Sequence, residues 1–298
     1  MTFSALAACA SALTVTLAAG AGIARAAEIS WGDLERTPGR AEIVLLGDIV
    51  PGDANALASV ILVANENGRV AYSVNLYSRG GSLEEGLALG RVIRHYRLYT
   101  EGPLMASKEE DPIAVCSMSP GSFEPLTTSA ENTDCACYSA CALAWLGGMI
   151  RVGSVGFHRA YLGNKGATYA DHESVVSGAA LLVSEYLQEM RVPSFVFDRI
   201  LTTDAPHLAF LAETESEQIR YDPVFKEFLI ARCGPGPSDE DVDLAGRLFS
   251  KKHMENRELS DAEEFAFSKL NDAALGYGDC LLEAHFEASS QLQSIGVQ

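Results

Sequence analysis

The chain has 298 residues, 48% hydrophobic and 21% charged, which is enough for one large or two modest globular domains with a sizeable core. Its 22 basic residues stand against 40 acidic ones, for a net charge of -18. No Lys/Arg cluster interrupts that excess, which argues against nucleic acid and anionic membrane surfaces as partners.

Residues 1–27 are nearly all Ala, Leu, Thr, Val and Gly and reach Ala24-Arg25-Ala26, a small-x-small pattern suited to signal peptidase. The expectation is a cleaved signal peptide over residues 1–26 and a periplasmic or secreted mature chain. The rival is an uncleaved membrane anchor, since the segment before the apolar run has no Lys or Arg. Leu6-Ala7-Ala8-Cys9 resembles a lipoprotein box but lacks a preceding apolar run. No later segment has the length of a membrane span.

Residues 42–46 read as a strand, residues 54–65 as a helix after Pro51-Gly52-Asp53, and residues 70–77 as the next strand after the Asn67-Gly68 turn. Ser82 and Glu85 form a capping-box pattern at the head of a helix over residues 83–96. This strand–helix alternation predicts an α/β domain with a largely parallel sheet. Residues 101–133 break the rhythm as a long Ser/Pro/Thr-rich insertion, with a short strand at residues 113–116. Residues 140–150 are apolar on all sides, as in a buried helix, and residues 155–158 form a short buried strand. Residues 171–190 make an amphipathic helix ended by Pro193, and residues 194–200 a second one. After the Gly234-Pro235-Gly236-Pro237 linker, residues 238–298 are helical and acidic. Residues 233–298 hold 13 acidic and 5 basic residues. His253 and His285 lie there among charges and are expected at the surface.

Apart from Cys9, six cysteines remain, an even number that fits disulfides in an oxidising compartment. Cys233 is expected to pair with Cys280, and Cys116 with a cysteine of the 135–141 cluster. Zinc at Cys135, Cys137 and Cys141 lacks a second CxxC or CxxH partner, so no metal and no cofactor are expected.

Two stretches carry chemistry. In residues 74–89, VNLYSRGGSLEEGLAL, an apolar run breaks at Gly80-Gly81 before a helix, a turn whose N–H groups can face a ligand. In residues 135–161, CACYSACALAWLGGMIRVGSVGFHRAY, Ser139 leads an apolar helix and His158 follows nineteen residues later. A serine at a helix head is more often a cap than a nucleophile, and a lone histidine more often a core residue than a base. Their order changes that balance. Strand–SxGGS–helix, then C-x-SAC–helix, then GFHRA resembles the Clp protease proteolytic-subunit family of the Clp/crotonase superfamily, over roughly residues 42–218. It is closest to secreted or periplasmic relatives whose serine is flanked by cysteines.

The resemblance implies a Clp/crotonase-type repeated ββα core over residues 27–232, with residues 233–298 as a small helical C-terminal appendage. It implies Ser139 as nucleophile, His158 as general base, and the N–H groups of Gly80, Gly81 and Ala140 as oxyanion donors. Arg159, beside His158, would help keep the imidazole neutral. The carboxylate that should orient His158 is best matched by Asp204, although another alignment puts His207 there, and Asp171 and Asp198 are further candidates. The expected substrate is a peptide or small acyl compound. A homo-oligomer is left open, and no unfoldase partner is identifiable. Two rivals stand beside this serine hydrolase. One is a catalytically retired binding or assembly protein on the same fold. The other is a coenzyme A-dependent hydratase or isomerase, disfavoured by the export signal and by the lack of basic residues for nucleotide phosphates.

Overall fold

The computed structural model describes residues 26–34, 38–106, 113–116, 126–127, 135–160, 169–205 and 207–295. The predicted signal sequence, most of its cleavage motif and most of the insertion lie outside these residues. The chain is a mixed α/β protein whose first half builds one five-stranded sheet. Strand β1 (Glu28–Asp33) pairs antiparallel with β2 (Arg40–Leu46) at the sheet edge. Helix α1 (Asp53–Glu66) then leads to β3 (Val70–Tyr77), parallel to β2. Helix α2 (Leu83–His95) leads to β4 (Tyr99–Glu101), again parallel. The apolar runs of β2 and β3 match strands buried on both faces.

A small antiparallel sheet follows, made of β5 (Leu104–Ala106), β6 (Ile113–Cys116) and β7 (Leu126–Thr127). Strand β6 coincides with the short strand expected inside the insertion, and the Cys116–Cys135 disulfide ties it to the main body. Helix α3 (Ala140–Trp145) is shorter than the sequence suggested, because Gly147 and Gly148 end it. Residues 150–152 instead become β8 (Ile150–Val152), which completes the sheet beside β4. The order across it is β1-β2-β3-β4-β8.

The main core lies between this sheet and helices α1, α2 and α3. Ile43, Leu45, Val74 and Leu76 from the strands meet Leu57, Ile61, Leu87, Ile93, Leu143 and Trp145 from the helices. Each such side chain contributes about 1.5–3 kcal/mol on full burial. Helix α2 approaches α3 through small residues: a Cβ on Gly86 would fall 2.6 Å from the Ala140 carbonyl oxygen, and one on Gly90 would overlap Tyr186. The α3 backbone is therefore seated directly on α2.

Strand β9 (Gly156–Phe157) pairs antiparallel with β10 (Ala209–Phe210). Between them run α4 (Tyr169–Glu189) and α5 (Ser194–Thr202). Helices α6 (Glu213–Ile219), α7 (Pro223–Cys233), α8 (Asp239–Phe249), a π turn at Ser250–Met254, and the 35-residue α9 (Asp261–Ile295) follow. The Cys233–Cys280 disulfide expected from the sequence joins α7 to α9, and the third bridge is Cys137–Cys141.

The later part of α9 is no outlying appendage, because it covers the sheet. Gln293 accepts the Ala71 N–H at 2.8 Å and donates to the Ala71 carbonyl at 2.7 Å. Arg40 pairs with Glu283 at 2.6 Å. His285, expected at the surface, is fully buried, with Nε2 donating to the Arg97 carbonyl at 2.7 Å and its ring edge-on to Tyr72. Ala284, His285, Ala288 and Ser289 make a narrow i, i+4 face that fits against β3 and the end of α2. The surrounding charges hid that face in the sequence. Burial pushes the His285 imidazole down to about 4. Among the described residues no helix is long and apolar enough to cross a membrane.

Candidate functional site

The site forms where the loops after β2, β3 and the cysteine segment meet. After β3 the chain turns at Gly80 (φ 108°) and Gly81 (φ 143°), both in the region that L side chains avoid. Ile49, beyond β2, holds this turn from both sides. Its N–H donates to the Gly80 carbonyl at 2.8 Å, and its carbonyl accepts from Ser82 N–H at 2.9 Å. A Cβ on Gly81 would overlap the Ile49 carbonyl, and a Cβ on Gly80 would sit 2.6 Å from Ser139 Cβ. The glycine pair thus allows two backbone approaches at once. The capping box is half formed: Ser82 Oγ accepts Glu85 N–H at 3.3 Å, but Ser82 N–H is already held by Ile49. The Glu85 carboxylate accepts instead from Ala54 N–H at 2.7 Å.

The segment before α3 is threaded between this turn and β9. Ser78 N–H donates to the Ala136 carbonyl at 2.6 Å, and Tyr138 N–H to the Ser78 carbonyl at 3.0 Å. On the other side, Gly156 N–H donates to the Cys137 carbonyl and Ser139 N–H to the Gly156 carbonyl, each at 2.9 Å. The Cys137–Cys141 disulfide joins the residues on either side of the serine. So held, Ser139 takes φ 56°, ψ -122°, a conformation a non-glycine residue keeps only when its surroundings impose it. Its side chain makes no capping hydrogen bond to α3.

Three backbone donors were expected around this hydroxyl, and they differ in availability. Gly80 N–H is engaged by Ser78 Oγ at 3.0 Å. Gly81 N–H and Ala140 N–H have no partner among the described residues. Both residues line one cleft of about 440 Å³, together with Ser139, His158 and Arg159. Leu83, Leu143, Val176, Leu182, Val183 and Ile200 supply its apolar wall. Ala179, Leu182 and Val183, on the apolar stripe of α4, border this cleft.

His158 opens onto the same cleft just after β9. Its Nδ1 lies 2.8 Å from the Arg159 carbonyl oxygen. A carbonyl can only accept, so Nδ1 carries a proton in this contact. Arg159 is fixed in turn by its N–H to the Thr203 carbonyl at 2.9 Å. Asp204 is close by, but its carboxylate pairs with the Arg159 guanidinium at 2.8 Å, and both side chains are well exposed. That pairing offsets the positive potential expected from Arg159. Asp198 and His207 are exposed, and the side chain of Asp171 lies outside the described residues. No hydrogen bond joins Ser139 Oγ to His158 among the described residues.

The arrangement brings Ser139, His158, Gly81 and Ala140 to one cleft. Sequence reasoning missed Ser78, whose side chain and backbone hold both arms of the turn, and the carbonyls of Gly156 and Arg159. Backbone acceptors carry no residue-type signal. Among the described residues no group of three or more His, Cys, Asp or Glu is placed to hold a metal ion. Neither a protein-family model nor a curated protein matches the sequence.

Proposed function

We propose that the chain is an exported serine hydrolase of peptidase or acyl-ester type, on a core of the Clp/crotonase kind. The observation that carries this reading is Ser139: positive φ, hydroxyl not engaged as a cap, at the head of a buried helix. A capping serine sits in the extended region with Oγ on the N–H two or three residues on, and Ser139 does neither. Strained strand-to-helix turns of this type expose a nucleophilic hydroxyl.

In the proposed reaction Ser139 Oγ attacks a carbonyl while His158 Nε2 takes its proton. Gly81 N–H and Ala140 N–H donate to the tetrahedral oxyanion, which is the function of uncommitted amides at such a site. His158 returns the proton to the leaving amine or alcohol, and water repeats the sequence on the acyl-enzyme. The Arg159 carbonyl holds the Nδ1–H tautomer, the orienting part of the role expected of a carboxylate. The apolar wall favours an acyl portion with a hydrocarbon or apolar side chain. Three disulfides support an oxidising destination.

A retired binding protein is the second reading, favoured by the engagement of Asp204 with Arg159 rather than a histidine. A fluorophosphonate probe separates the two. The hydrolase reading expects covalent labelling at Ser139, abolished in Ser139→Ala and nearly so in His158→Ala. Absence of labelling on a folded, oxidised chain selects the retired site. Intact mass of protein from the cell envelope should begin at Ala27 or Glu28; a species retaining Met1 refutes export by cleavage.

A further inference from the structure

At and just beyond the C-terminal end of α2, arginine side chains gather against the trend of a chain carrying -18. Asp222 is fully buried at the head of α7, where Oδ1 accepts Phe225 N–H at 3.0 Å. Its Oδ2 is shared by Arg94 Nη1 at 2.7 Å and Arg191 Nη1 at 3.1 Å. Arg151, buried nearby, donates to the carbonyls of Leu146 at 2.9 Å and Ile219 at 2.6 Å. Two guanidinium groups therefore share one carboxylate that also caps a helix, with a third buried guanidinium nearby on backbone carbonyls. Burial pulls the Arg151 guanidinium down to about 9, with repulsion from Arg94 adding to it, and burial lowers Arg94 as well.

A cavity of about 420 Å³ opens beside this cluster, between α2, α7 and α9. Arg94, Arg97 and Arg191 line one side, and Val224, Phe225 and Phe228 another. Arg97 gives one N–H to the Ala288 carbonyl at 3.1 Å, and Arg191 one to Asp222, out of five donors on each guanidinium. Glu287 also borders the cavity, but its carboxylate is held by Arg232 at 3.1 Å. Val224 and Phe228 are large apolar side chains left 54% and 41% exposed at the mouth. Cationic forks with donors to spare beside an uncovered apolar wall are complementary to a group with both features.

We propose that this cavity binds an organic carboxylate with an apolar body, its head group on Arg191 and Arg97 and its hydrocarbon against Phe228 and Val224. The site is independent of Ser139 and stands whether or not the hydrolase reading does. An added anion lowers the local charge excess that Asp222 alone leaves.

Isothermal titration of the full disulfide-bonded chain with decanoate tests this, with decanol as the uncharged tail and acetate as the tail-less charge. Decanoate is expected to bind at least tenfold more tightly than either. Arg97→Gln and Arg191→Gln should each weaken decanoate at least tenfold in chains that still unfold in one cooperative urea transition, with an earlier midpoint for Arg191→Gln because it also loses its bond to the buried Asp222. Phe228→Ser should weaken it while leaving the preference over decanol. An N-acetylated dipeptide acid ending in Phe, bound with the same sensitivity to Arg191→Gln, would place the carboxylate on a peptide end and keep the chemistry. Equal binding of decanoate and decanol, or decanoate binding untouched by both arginine variants, overturns the proposal.

Discussion

Replacing Cys137 and Cys141 together by alanine removes the smallest of the three disulfide loops, four residues apart, against separations of 19 for Cys116–Cys135 and 47 for Cys233–Cys280. In the chain-entropy description, closing loops of these sizes contributes roughly 2, 3.3 and 4 kcal/mol respectively. Global stability should therefore suffer least from loss of Cys137–Cys141. Activity should suffer most, because this bridge alone spans Ser139, whose positive-φ conformation costs on the order of 1–3 kcal/mol to maintain. If the bridge supplies about 2 kcal/mol toward holding that conformation, its loss lowers the competent population up to ~30-fold, at 1.36 kcal/mol per decade. The backbone bonds from Ser78 and Gly156 stay in place and should prevent complete collapse. Two assays on the three double-alanine variants decide it: urea unfolding for stability, and the rate of fluorophosphonate labelling for the site. A Cys137/Cys141 variant that labels at the parental rate refutes the idea that the bridge holds the serine. So does one that loses more stability than the Cys233/Cys280 variant.

Asp204→Asn should change the labelling rate less than about fivefold, since an exposed ion pair is worth about 0–1 kcal/mol. A loss near 10⁴-fold, the order seen when a triad aspartate is neutralised, would instead make Asp204 the partner of His158. Gly81→Ala should cut labelling by about 10²–10³-fold, the effect of losing one oxyanion donor, because its Cβ would overlap the Ile49 carbonyl and turn the N–H away. Parental labelling in a folded Gly81→Ala chain would remove that N–H from the mechanism. For His285, burial holds the folded value at about 4, below the ordinary value near 6.5. Between those values the unfolded chain binds more protons, so stability is complete above about pH 6.5 and falls toward pH 4, by roughly 3 kcal/mol. His285→Gln should flatten this part of the pH dependence in urea unfolding, and an unchanged slope would contradict the burial argument.

The parallel sheet was legible because β2 and β3 are unbroken apolar runs separated by a helix with its own turn signals. The Gly80-Gly81 turn, Ser139 and His158 were legible as an ordered set. Less accessible was whatever depends on backbone acceptors: the Gly156 carbonyl on Ser139, the Arg159 carbonyl on His158, and the capture of Gly80 N–H by Ser78 Oγ. Strand β8 escaped notice because Ile150 continues an apolar run that reads as helix until two glycines stop it. His285 was misjudged because neighbouring glutamates dominate the composition while the Ala/Ser stripe that buries it is chemically quiet.

The hydrogen bonds from Gln293 to Ala71 join residues 222 positions apart. During vectorial synthesis, β3 is therefore delivered long before the helix that covers it. Until α9 arrives, Tyr72 and the Ala71 backbone groups lie open, and the two-sided burial of a parallel sheet is unmet. Contacts of such separation slow the search for the native topology. They also leave a transiently sticky sheet face during that interval.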